Sequence, residues 1–124
     1  MASEATNQKM DLMVRTKKFA LRIIGLYCAL PKSTEAQVIG RQVLRSGTSV
    51  GAHVREGKRS RSDAEMVSKT EGALQELEET SYWLELLVES NIVKGERLEC
   101  LMKEADELTA ILVASVMTIK RRKR

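Results

Sequence analysis

Four stretches of this chain repeat apolar or small residues at alternating steps of three and four, and none alternates with the period of two that a half-buried strand requires. The most regular runs Val67, Thr70, Leu74, Leu77, Ser81, Leu84, Val88. A seam sustained over that length fits helices packed side by side at a shallow crossing angle. The others are Leu12, Thr16, Phe19, Ile23, Leu26, Leu30, then Ala36, Ile39, Val43, Ser46, Val50, His53, and finally Leu98, Leu101, Ala105, Leu108, Leu112, Ser115, Ile119. Short connections between four such helices predict an all-α, antiparallel up-down four-helix bundle. The expected domain is residues 1–119, with helices over about 8–30, 35–57, 63–90 and 96–119 and a basic C-terminal tail over 120–124.

Local signals set the boundaries. The first helix starts near Asn7 or Asp11 and ends before Pro31, which pushes its preceding residue out of helical geometry. Ser33 or Thr34 can cap the second helix, with Thr34 and Gln37 forming a capping box, and Ser62 to Glu65 forms another ahead of the third. Gly57 reads as a C-terminal cap and Lys94-Gly95 as the last turn. Gly51 stands inside a helix, where it costs about 1 kcal/mol against Ala, so another backbone is expected to approach it closely.

Aromatic residues make up 3% of the 124 residues, so the core must be aliphatic. Cys28 and Cys100 lie far apart without an export-like N-terminus and are expected to be reduced, small core residues. No apolar run approaches the roughly 18 residues of a membrane span, and a cytoplasmic location is the expectation.

The net charge of +4 hides a strong asymmetry. Residues 1–61 carry twelve Lys/Arg against four Asp/Glu, residues 62–107 carry four against thirteen, and the last five residues are all basic. Helical hairpins of opposite charge would attract each other or a neighbouring subunit. Arg41, Arg45, Arg55, Lys58, Arg59 and Arg61 gather toward the end of the second helix and its loop. Forked Arg donors suit phosphate oxygens, while pairing with the Glu residues of the third helix is the other reading of the same charges. Lys120, Arg121, Arg122, Lys123 and Arg124 form a frayed end or arm that can add nucleic-acid affinity without sequence choice. Tyr82 and Trp83 have acidic neighbours in Glu78, Glu79 and Glu85, so they are expected to anchor a subunit interface or the core rather than stack on bases. His53 is expected as a hydrogen-bonded histidine at a helix or subunit contact.

Little in the sequence points to catalysis. One histidine cannot supply the paired Glu-x-x-His of a di-iron bundle, no strand precedes a phosphate-cradling loop, and both cysteines fall within apolar helical surroundings that suit core residues. A non-enzymatic protein without metal or cofactor is expected.

Arg45-Ser-Gly-Thr-Ser-Val-Gly-Ala-His-Val-Arg-Glu-Gly57, followed by Ala73-Leu-Gln-Glu-Leu-Glu-Glu-Thr-Ser-Tyr-Trp-Leu-Glu-Leu-Leu87, resembles the bacterial four-helix-bundle proteins of the ribosomal RNA intervening-sequence type. The resemblance covers nearly the whole chain. His53 stands where the family usually has Asn, and Arg55 where it often has Ala. The resemblance implies a ring-like homopentamer without established enzymatic activity. Some relatives are accessory proteins of diversity-generating retroelements, which bind a reverse transcriptase and nucleic acid. A ring would repeat the basic residues by symmetry and sum their field. The resulting expectation is a homo-oligomeric nucleic-acid-binding accessory protein, RNA being the first candidate. The alternative is a protein-interaction scaffold, such as an accessory subunit for a reverse transcriptase.

Overall fold

A computed structural model describes residues 4–122, with side chains described from Leu12 onward. Helices α1 (Glu4–Ala29), α2 (Thr34–Lys58), α3 (Asp63–Glu89) and α4 (Gly95–Arg121) follow one another through connections of four or five residues. Each helix packs on the next in sequence, and α1 meets α4 along a thinner seam that closes the antiparallel four-helix bundle. No strand occurs among the described residues.

The ends of the helices follow local chemistry, with three departures from expectation. α1 stops at Ala29, two residues before Pro31. Ser33 rather than Thr34 is the N-cap residue of α2, and its side chain bonds none of the first-turn N–H groups. Gln37 does not close a capping box. Its amide donates to the Pro31 carbonyl (2.8 Å) and its oxygen accepts from the Tyr27 hydroxyl (3.2 Å), tying α2 back to α1. Ser62 does cap α3, its Oγ accepting from Glu65 N (3.1 Å). Gly57 lies inside α2, buried one residue before the helix ends at Lys58. It faces α3, where Lys69 Cβ would stand 3.4 Å from a Cβ at this position, an ordinary contact. The last turn is made by Asn91, at φ 63°, rather than by Lys94-Gly95. Asn tolerates the left-handed region better than most residues, and Leu87 O then accepts from both Ile92 N and Val93 N.

The core is aliphatic around one aromatic ring, with Phe19, Ile23, Val43, Val50, Leu77, Leu84, Leu87 and Leu108 fully enclosed. On α3 the buried positions are Thr70, Ala73, Leu77, Thr80, Leu84 and Leu87. The expected Leu74, Ser81 and Val88 sit half-buried at its edge. The true seam is rotated toward α2, because α3 packs most extensively there. Val116 similarly replaces Ser115 on α4.

Both cysteines are exposed rather than in the core. Cys28 comes five residues after buried Ile23, about 140° round the helix, and Cys100 comes two after buried Leu98, about 160° round.

α2 is the helix both neighbours press upon. A Cβ at Gly47 would meet Ile23 Cγ1 at 2.7 Å, and one at Gly51 would stand 3.5 Å from the backbone carbon of Thr16. The close approach expected at Gly51 is thus made by α1. On the α3 side, Thr80 Oγ1 donates to Ser46 Oγ (2.7 Å), and Ser46 in turn donates to the Gln42 carbonyl (2.9 Å). A buried polar pair satisfied in this way fixes the register of the two helices. Across the thin α1–α4 seam, Arg15 donates to both oxygens of Glu104 (3.0 and 2.5 Å) and to Glu107 (3.0 Å).

Two glycine substitutions should move stability in opposite directions. Gly25→Ala meets nothing within 4 Å and should stabilise the protein by about 0.5–1 kcal/mol through helix propensity. Gly47→Ala drives a Cβ into the branched end of Ile23 and should destabilise it by about 1–2 kcal/mol despite the same propensity gain. Denaturant midpoints of the two variants check this. The Arg15 hydrogen bonds, opposed by partial burial, hold Glu104 below the ordinary value of 4.5. Its stabilising contribution is therefore complete above 4.5 and lost as pH falls through the lowered folded-state value. Glu104→Gln should be less stable than wild type at pH 7, and urea midpoints of the two should converge as the solution is made acidic.

Candidate nucleic-acid interface

The up-down order brings the end of α2, the start of α3 and the end of α4 to one pole of the bundle. Ion pairs register the joint: Arg122 lies 3.5 Å from Asp63 and Lys120 3.7 Å from Glu71. α4 continues as helix through Lys120 and Arg121, the first residues of the frayed end or arm expected there. Lys123 and Arg124 lie outside the described residues.

Four cations at this pole, Lys58, Arg59, Arg61 and Arg121, are exposed. No carboxylate pairs with them among the described residues. Arg59 N donates to Glu56 O (3.1 Å) and Ser60 N to Gly57 O (3.1 Å), so the chain leaves α2 in a tight final turn that holds Lys58, Arg59 and Arg61 close together. Ser60 Oγ is buried there without a hydrogen-bond partner among the described residues.

The six basic residues of 41–61 do not form one patch. Arg41 stands 17 residues before Lys58, about 25 Å up the helix, and Arg45 about 20 Å. Arg45 is also engaged by α3, with its guanidinium 3.5 Å from Glu76 and in a shorter contact with Glu79. Glu76 and Glu79, three residues apart on the face turned to α2, were the sequence signal for that engagement. Arg55 lies on the outer side of α2 at a groove shared with α1, together with Lys17.

Two of the three expected interface residues are occupied within the chain. His53 is half-buried with its ring against α3, where a Cβ on Gly72 would come within 3.0 Å of its Nδ1. That nitrogen has no hydrogen-bond partner among the described residues, contrary to the expectation of a hydrogen-bonded histidine. It lies 3.9 Å from Glu56, whose carboxylate is 3.3 Å from Lys69. Trp83 packs half-buried on the core, its indole N–H donating to Glu79 (3.5 Å). Tyr82 is 53% exposed, its ring edge-on to Trp83 at 5.1 Å.

Among the described residues no group of three or more His, Cys, Asp or Glu side chains is gathered to hold a metal ion. None of the described helices is long and apolar enough to cross a membrane.

The family of 23S rRNA-intervening sequence proteins matches residues 8–114. This chain belongs to that family. A solved structure of a protein of unknown function from the S23 ribosomal protein family of Bacteroides thetaiotaomicron VPI-5482 is similar to it, with 34% identity over 88% of this chain and 97% of that one, and a TM-score of 0.83. No protein of curated function matches the sequence. Within the 23S rRNA-intervening sequence family frame, the matched span contains the α2–α3 connection and stops before the basic end of α4. Arg121 and its neighbours thus add positive charge to the pole beyond the matched region.

Proposed function

We propose that this protein is a non-enzymatic, homo-oligomeric RNA-binding accessory protein of the cytoplasm, working without a cofactor and holding phosphate oxygens at the basic pole. The observation that carries this reading is the cluster of Lys58, Arg59, Arg61 and Arg121, all exposed at one end and all without a carboxylate partner among the described residues. Cations left unpaired beside a helix end bind polyanions by releasing condensed counterions, which gives affinity with little sequence choice. Self-association, with a closed ring of five as the form the family resemblance implies, would repeat the pole and sum its field. The 23S rRNA-intervening sequence family makes RNA the first nucleic acid to test.

A second reading has an observation of its own. α1 and α4, which share a seam, each expose apolar side chains: Val14, Leu21 and Ile24 on α1, Val113 and Met117 on α4. A protein-interaction scaffold, for example an accessory subunit of a reverse transcriptase, would use such faces and need no direct contact with nucleic acid.

Fluorescence anisotropy with a labelled single-stranded RNA across a salt series separates the two. The expected affinity falls linearly in log salt. Arg59→Glu combined with Arg61→Glu should weaken binding about tenfold or more and reduce the slope by about 1.4, at roughly 0.7 for each phosphate no longer neutralised. Unchanged binding by this folded double variant would remove the phosphate reading, and no RNA binding by wild type at low salt would leave the scaffold.

A further inference from the structure

Intrachain ion pairs consume the charges along three seams of the bundle and leave two outer faces of opposite sign. Arg45 serves α3, Arg15 serves α4, and the α4 cations Lys120 and Arg122 serve Glu71 and Asp63 at the first turns of α3. On the outward face of α3, Glu78 and Glu85 remain exposed and without a cation partner among the described residues. Between them stands Tyr82, more than half exposed. Residues 78, 82 and 85 are spaced four and three apart, so they share one strip of helix surface. An exposed phenol between two carboxylates costs apolar hydration and contributes nothing to the core.

The outer groove between α1 and α2 has the complementary form. It encloses about 340 Å³, its floor is made from Ala20, Gly51 and Ala52, and Lys17 and Arg55 stand at its mouth. Neither cation has a carboxylate partner among the described residues. The floor is shallow and apolar because Gly51 lets α1 approach α2 to backbone distance. A depression lined by small residues and rimmed by cations accepts an aromatic side chain flanked by carboxylates: the ring covers the floor and each Glu reaches a rim cation.

From this complementarity of shape and charge, we infer that Tyr82, with Glu78 and Glu85, docks into the α1–α2 groove of a second copy of this chain, between Lys17 and Arg55. The contact is heterologous, since the acidic face of one copy meets the basic groove of the next. Each contact therefore leaves one groove free on one copy and one face free on the other, the geometry that generates rings or filaments. It rests on the self-association proposed above, names its surfaces, and separates them from the RNA-binding pole. Arg55 then serves assembly, while Lys58, Arg59 and Arg61 stay available to phosphate.

Light scattering coupled to size exclusion, on the full chain with circular dichroism as the folding control, tests the contact. Wild type should elute with a mass well above the 13.9 kDa of one chain. Tyr82→Ala, and separately Ala52→Trp, which fills the groove from an exposed position, should each shift the mass toward the monomer at least severalfold in dissociation constant. Two charge-swapped chains, Glu78→Lys with Glu85→Lys and Lys17→Glu with Arg55→Glu, should each be monomeric alone. Mixed in equal amounts they should associate in alternation, as open or even-membered assemblies because a ring of five cannot alternate, and loss of folding could not produce that recovery. Assembly of wild type with no response to any of these variants, or no recovery on mixing, would overturn this contact and leave self-association standing through other surfaces. A wild type that stays monomeric at tens of micromolar would overturn both, whatever its RNA affinity.

Discussion

The bundle depends on how closely its second helix can be approached. α2 lines its two inner flanks with residues that have little or no side chain: Gly47 and Gly51 toward α1, Ser46 and Gly57 toward α3. Ile23 fills the space at Gly47, and the Thr16 backbone comes against Gly51. Dispersion and hydrophobic contact both rise as helix axes close; a β-carbon at Gly47 would hold α1 off, and one at Gly51 would press on the Thr16 side chain. The cost is propensity, since each glycine weakens the isolated helix. α2 is therefore stable because of its neighbours, and the tight α1–α2–α3 packing exists because α2 is thin. The α1–α4 seam has no comparable stripe and relies instead on Arg15 with Glu104 and Glu107.

That arrangement also sorts the charges. Close packing of α2 on α3 brings Arg45 within reach of Glu76 and Glu79, so an arginine that reads as a phosphate ligand becomes part of the seam. Lys58, Arg59 and Arg61 escape this fate because they stand exposed at the end of α2 and in its connection, thirteen or more residues along the chain from Arg45, the arginine that Glu76 and Glu79 engage. The same thinness of α2 leaves a shallow groove on the outside of the α1–α2 pair. Internal packing thus shapes both outward surfaces, the basic pole and the groove.

Much of the candidate site was legible before folding. The basic run at 58–61 and the basic residues from 120 onward are separate in sequence, and up-down topology alone predicts that they meet at one end. Their unequal status was not legible. Lys120 and Arg122 are drawn onto Glu71 and Asp63, while Arg121, between them on the helix, is not. Which of three consecutive cations faces an acid depends on the rotation of α4 about its axis. That rotation is set by Leu112, Val116 and Ile119 in the core. The same holds for His53, whose stripe position was readable but whose contact with Gly72 required the register of α2 on α3.

The sequence by itself determined that there are four helices, roughly where each begins and ends, and that their opposite charges sit in separate halves of the chain. Three-four periodicity, Pro31 and the Ser62 cap are local signals, and local signals survive translation into structure because they act within a turn or two. Only the tertiary structure decided which edge of each stripe is innermost, as where Thr80 and Leu87 displaced Ser81 and Val88, and where both cysteines turned outward. Adjacent positions on a helix are 100° apart, so a bundle can gain packing by rotating a helix through less than one residue. That choice is made by the fit of facing side chains, which no single helix contains.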